Sequence, residues 1–235
     1  MNKRGKHRSR TGTAPAGLAD LGEFGFIARL AGPFLRGMPA GVQGIGDDCA
    51  VLPWTEDKRM LVTTDMLVED RHFVLKSAKP FDLGYKSLAV NLSDIAAMGG
   101  RPTWALLSIG VPMGLSVLWI DDFLKGWRTA SKPWNVRLVG GDTTRSPGGL
   151  VINVVVIGEV PAGRVKLRSA ARVGDVIAVT GTLGDSGGGL KIILAREGKA
   201  AGGRSGETGE GAAGATAGVT AARLTRAAAL RVIPG

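Results

Sequence analysis

The chain has 235 residues, is 44% hydrophobic and carries a formal charge of +10, which supplies one sizeable core and excludes a wholly disordered or fibrous protein. No apolar run approaches the ~20 residues that cross a bilayer, the basic start lacks the apolar stretch of a secretory signal, and Cys49, the single cysteine, excludes an intrachain disulfide. A soluble, cytoplasmic protein is expected, with no membrane partner.

The charge is uneven. Lys3, Arg4, Lys6, Arg8 and Arg10 crowd the first stretch, and Arg196, Lys199, Arg204, Arg223, Arg226 and Arg231 load the last. Without an aromatic or helix-turn-helix signature these runs read as solvated termini, and no nucleic-acid partner is expected. Residues 1–19 hold almost no large apolar side chain and are predicted to be a disordered basic leader. From Glu23 the spacing of Phe24, Ile27, Leu30, Phe34 and Leu35 predicts a short helix, limited by Pro33 and Gly37.

Gly44-Ile45-Gly46-Asp47-Asp48 follows as a glycine-loosened turn with adjacent carboxylates, leading into a strand over 50–52, a loop over 53–59 and a strand over 60–64 that ends at Asp65. Cys49, next to Asp48 and an apolar run, reads as a small buried filler. The polar segment Asp70-Arg71-His72-Phe73 precedes the clearest helix, 81–98, which Gly99-Gly100 stops. Asp94 lies beside the apolar face of that helix. A strand over 104–111, a helix over 120–130 and a short strand over 136–139 then lead into Gly140-Gly141-Asp142-Thr143-Thr144, where either two glycines let the backbone approach a ligand that the acid and two hydroxyls face, or the chain makes an ordinary turn. The β-branched run 150–160 predicts a central strand, 165–175 a basic loop, 176–180 another strand, and 190–195 a helical start after a glycine-rich junction. Beyond about Gly198 the composition turns to glycine, alanine, threonine and arginine, a low-complexity tail with a helix expected only over 219–232.

Acids recur at the ends of apolar segments: Asp48, Asp65, Asp94 and Asp142. Gathered in one fold they would repel one another unless divalent cations stood between them, and hard oxygen donors suit magnesium, which commonly bridges to phosphates. The residues by themselves therefore suggest magnesium-dependent phosphoryl transfer.

Gly44 to Asp48, Thr63-Thr64-Asp65 with His72, Lys86 to Gly99, Gly140 to Thr144 and Val179 to Ser186 together resemble the thiamine-monophosphate kinase family over roughly residues 23–194. The resemblance implies an α+β fold, a mixed sheet flanked by helices that closes into a β-barrel across a homodimer, as in the related aminoimidazole-ribonucleotide and selenophosphate synthetases. It implies ATP- and magnesium-dependent phosphorylation of thiamine monophosphate to thiamine diphosphate. Carried over by motif, Asp48, Thr63, Thr64, Asp65, Asp94 and Asp142 resemble the magnesium ligands. Gly141 and Arg168 resemble nucleotide contacts, and His72 a residue of the thiamine-phosphate pocket. No general base is implied, because the acceptor phosphate is already ionised.

On this reading, residues 20–195 are the magnesium- and ATP-binding domain and 196–235 a tail. The family's second domain, with its further Asp-Ser-Asp-Gly motif, is missing from the sequence. A truncated or frame-shifted form, weakly active or inactive alone, is expected. Two other readings stay open: a non-catalytic nucleotide-binding or dimerisation remnant, and a sister enzyme of the same fold.

Overall fold

The computed structural model describes residues 18–179 and 183–196. The leader up to residue 17 and the tail after residue 196, with the helix expected at 219–232, lie outside the described residues. The chain divides into two compact units, Met1–Ala40 and Gly41–Gly235. The first contains α1 (Leu18–Phe34), kinked at Gly22 and carrying Pro33 in its last turn. It begins ahead of the predicted start and takes in the end of the expected leader, because Gly22, at φ +61°, joins a short extra turn to the periodic stretch. Phe24 and Phe34 are exposed.

In the second unit the described elements are β1 (Ala50–Pro53), β2 (Lys58–Val68), α2 (Pro80–Ala97), β3 (Arg101–Pro112), α3 (Val117–Ser131), β4 (Arg137–Ser146), β5 (Val151–Pro161) and α4 (Asp185–Arg196). The strands form one mixed sheet in the order β1-β2-β5-β3-β4. The pairs β1–β2, β2–β5 and β3–β5 are antiparallel, and β3–β4 is parallel. An α+β fold with a mixed sheet and flanking helices is what the family resemblance implies.

Strand β5 shows why one face is the core. Ile152, Val154, Val156 and Val160 are buried while the residues between them are only half-buried, the alternation of a pleated strand with one covered face. Opposite this face α2 presents Leu83, Leu88 and Ile95. Helix α2 starts with Pro80, whose missing N–H is no loss in a first turn. It stops at Gly99, which at φ +75° ends the helix by turning the chain left-handed. The α2–α3 crossing is tight because both helices offer glycine there. A methyl group at Gly84 would overlap the carbonyl of Phe123, and one at Gly126 would overlap the carbonyl of Phe81.

Two predicted elements differ. The motif Gly140 to Thr144 is not a turn but the middle of β4. Parallel pairing with β3 continues through it after Val139 bulges out of register between Leu138 and Gly140. Residues 176–179 form no strand. Val176 and Ile177 stand exposed, and a β-branched run without a neighbouring strand has no ladder to complete.

Candidate functional site

The acidic turn sits immediately ahead of β1. Asp47 Oδ1 accepts the N–H of Asp48 at 3.1 Å, and its Oδ2 accepts the backbone N–H of Arg168 at 3.1 Å. Arg168 lies in a single 3₁₀ turn, Arg168–Ala170, beyond β5. Its guanidinium donates to Asp48 Oδ1 and places Nε 3.9 Å from Asp47 Oδ1. The Asp48 carboxylate beside it holds the Arg168 guanidinium above its ordinary value. A carboxylate pair near a core needs a partner, and here the partner is an arginine 120 residues away.

Asp94 comes from α2 and faces β2, where Thr63 Oγ1 donates to its Oδ2 at 2.7 Å. Burial pushes the Asp94 carboxyl up to about 6, with Asp65 and Asp48 adding repulsion against the pull of the Thr63 hydroxyl and Arg168. Asp65 is also raised by burial, and His72 draws it partly back. Asp48, Asp65 and Asp94 thus share one electrostatic neighbourhood. Cys49, inside it, is buried and its thiol is pushed up to about 12, first by burial and then by Asp94, Asp48 and Asp47. That is the inert filler the sequence predicts.

Thr64 and Asp142 are not part of this neighbourhood. The rows of the sheet run Asp65–Val154–Leu107–Gly141 and, one residue out of step, Met66–Asn153–Ser108–Asp142. Successive residues of a strand alternate faces, so Thr63 and Asp65 belong to the face that α2 covers, whereas Thr64 and Asp142 belong to the opposite one. Thr64 Oγ1 accordingly bonds Asn153 Oδ1 at 3.1 Å. Among the described residues no three or more His, Cys, Asp or Glu side chains converge closely enough to hold a metal ion as they stand. The physical reason is visible: Asp48 is turned to Arg168 and Asp94 to Thr63. The donor set still fits a hard divalent cation, being all oxygen, anionic and already drawing a positive group onto Asp48.

His72 is held at three points. Its N–H donates to Val68 O at 2.9 Å, its carbonyl accepts Lys86 Nζ at 3.0 Å, and its Nδ1 accepts the Val68 N–H at 3.0 Å. An accepting Nδ1 puts the proton of the neutral ring on Nε2, leaving a directed donor. At Gly141 a methyl group would overlap the carbonyl of Leu107. Strand packing therefore requires glycine there before any nucleotide is considered.

With that geometry in place, residues 46–160 match the family described as AIR synthase related protein, N-terminal domain. They form an AIR-synthase-related amino-terminal domain. The chain is 43% identical over 151 residues to the thiamine-monophosphate kinase of Bacillus subtilis (strain 168), an alignment covering 64% of this chain and 46% of that protein. To the Escherichia coli (strain K12) thiamine-monophosphate kinase it is 44% identical over 176 residues, covering 74% and 53%. Its structure is similar to that of AaThiL complexed with AMPPCP and TMP, with TM-score 0.70 and 35% identity over 83% of this chain and 58% of the other. The chain spans about half the length of the curated relatives it matches.

Within the AIR-synthase-related domain three functional candidates escape sequence reasoning. Asp47 looks like a spare copy of Asp48 until its two backbone bonds are seen, and the acidic doublet was its only signal. Lys86 is a buried lysine whose side chain burial lowers to about 8. Its signal is a charge on the apolar face of a helix, and its bond to the His72 carbonyl is invisible in sequence. Asn91 is fully buried; Nδ2 donates to Ser87 O at 3.2 Å while Oδ1 has no partner among the described residues. Among the described residues no helix is long and apolar enough to cross a membrane.

Proposed function

We propose that this chain carries the magnesium- and ATP-binding part, residues 20–195, of a cytoplasmic thiamine-monophosphate kinase, which transfers the γ-phosphoryl group of ATP to thiamine monophosphate to give thiamine diphosphate. The observation that carries the reading is the acidic neighbourhood of Asp48, Asp65 and Asp94 in a domain similar to a kinase complexed with AMPPCP and TMP. Mg²⁺ bound there would offset the repulsion between donor and acceptor phosphates and between the acids themselves.

The chain's own residues have separate tasks in this mechanism. Asp48, Asp65 and Asp94 supply anionic oxygens, and Thr63 orients Asp94 through its hydroxyl. Thr64 and Asp142, on the other face of the sheet, would hold a further one of several Mg²⁺ ions and not the ion shared by Asp48, Asp65 and Asp94. Gly141 gives β4 the backbone freedom to approach a nucleotide, and Arg168 stabilises phosphate charge. His72, near Asp65, presents its Nε2–H to the substrate phosphate. The acceptor oxygen needs no base, being ionised already.

A homodimer is part of the proposal. The sheet face away from α2 carries Trp104, 40% exposed, and Met66, 54% exposed, beside the half-buried Val155 and Ile157. A second copy covering this face would close the two sheets into a barrel and remove these apolar groups from water.

A second reading is favoured by one observation: among the described residues no three or more His, Cys, Asp or Glu side chains converge closely enough to hold a metal ion as they stand. It is that the domain binds nucleotide, or dimerises, without turnover. Incubation with ATP, Mg²⁺ and thiamine monophosphate, with thiamine as control acceptor, separates the two. Thiamine diphosphate formed only from the monophosphate supports the kinase. AMPPCP binding without product supports the nucleotide-binding module; neither product nor AMPPCP binding overturns the kinase and the nucleotide-binding module alike, and a monomer in sedimentation then overturns the dimerisation module.

A further inference from the structure

The two acids of the turn are held differently. The Asp47 carboxylate is only 4% exposed and is fixed by two backbone N–H groups, those of Asp48 and Arg168. It pins the Arg168 backbone beside the turn and has no open side for a ligand. The Arg168 side chain is 61% exposed and reaches Asp48 Oδ1 and the edge of Asp47 through its guanidinium alone. A long, solvated side chain can leave such a contact at little cost, while its backbone stays where Asp47 holds it.

We propose that the Arg168 guanidinium is the resident counter-ion of the acidic turn and exchanges with a divalent cation at Asp48, with Asp47 as the fixed post that keeps the released arginine beside the site. This rests on the reading of Asp48 as a metal ligand. The argument is one of occupancy: a guanidinium hydrogen-bonded to Asp48 Oδ1 and a cation coordinated by that oxygen are competing positive partners. Before loading, the arginine shields a turn whose acids would otherwise face Asp94 uncompensated. After loading, the freed arginine stands next to the cation and is available to an anionic group bound there, such as a phosphate.

The test uses the chain with Mn²⁺ as probe, without nucleotide. Removing the competitor in Arg168→Met is expected to tighten Mn²⁺ binding, followed by electron paramagnetic resonance, by about 3- to 10-fold. Loss of a nearby positive charge would tighten binding merely by relieving repulsion, so a second arm follows the arginine itself. In ¹⁵N-labelled wild type, titrated with diamagnetic Mg²⁺, the Arg168 Nε–H resonance should shift with the midpoint of cation uptake. Uptake with an unmoved Arg168 resonance, or Mn²⁺ binding by Arg168→Met no tighter than wild type, overturns the exchange and leaves the metal site standing. Absence of uptake by both proteins overturns the metal-site reading itself. The wild-type resonance decides the matter even if the variant does not fold.

Discussion

Asp94→Asn is expected to stabilise the protein in the absence of metal. Burial, aided by Asp65 and Asp48, moves the Asp94 carboxyl from 3.8 to about 6, a displacement that at ~1.4 kcal/mol per pH unit corresponds to about 3 kcal/mol. Because the group is only partly buried, solvent screening reduces this to roughly 1–2 kcal/mol. Asparagine keeps an oxygen for the Thr63 hydroxyl, so the charge is the main thing removed. The sign follows from the two protonation states. A carboxyl whose folded value is raised favours the native state fully below 3.8, and that favour is lost as pH rises through about 6. The gain in the variant should therefore be complete above pH 6 and absent near pH 4. Urea unfolding in chelator at pH 7.5 measures it; with a slope of roughly 2 kcal/mol per M the midpoint should rise by about 0.5–1 M. Added Mg²⁺ should raise the wild-type midpoint and leave the variant's nearly unchanged. A variant less stable than wild type at pH 7.5 would refute the reasoning, since Asp94 would then be held by more than the Thr63 bond.

Three other substitutions or probes bear on different parts of the molecule. Gly84→Ala should lose about 3 kcal/mol or more in the same unfolding assay, because its methyl group meets the Phe123 backbone, which cannot rotate away; a loss under about 1 kcal/mol would mean that the α2–α3 crossing is looser than described. Cys49 should resist alkylation at pH 8 until the chain is unfolded, as its thiol is buried and pushed up to about 12; rapid labelling of the native protein would contradict this. Lys86→Met removes a base whose folded value, about 8, lies below its ordinary 10.5. Burial of the charged form opposes folding in full below pH 8 and is relieved as pH rises towards 10.5, so wild-type stability should gain on the variant's across that window, and parallel curves would count against a buried ammonium.

Much of the fold can be read in the residues because it depends on local rules. The periodic apolar stripe and the Gly99 stop predict α2 almost to the residue, and the β-branched run over 150–160 predicts β5, found at Val151–Pro161. The acids too are legible, since carboxylates at the ends of apolar segments need an explanation wherever they end up. The failures occur where a partner decides. Gly140 to Thr144 has the composition of a turn, yet it is strand because β3 offers a ladder for it. Residues 176–179 have the composition of a strand, yet among the described residues no strand pairs with them. Asp47 and Asp48 are neighbours with the same side chain, and only the distant Arg168 segment makes one a structural post and the other the half-buried partner of an exposed guanidinium.

By itself, then, the sequence determined which segments can be helix or strand, that the single cysteine is inert filler, and that oxygen donors are abundant enough for cation chemistry. These follow from side-chain type and spacing over a few residues. Tertiary structure alone decided that Thr63 and Asp65 share a face with α2 while Thr64 and Asp142 take the other. It also decided that Arg168 stands on Asp48. Face and partner depend on strand register and on contacts across more than a hundred residues of chain, and a one-residue step in register sends every side chain to the opposite side of the sheet.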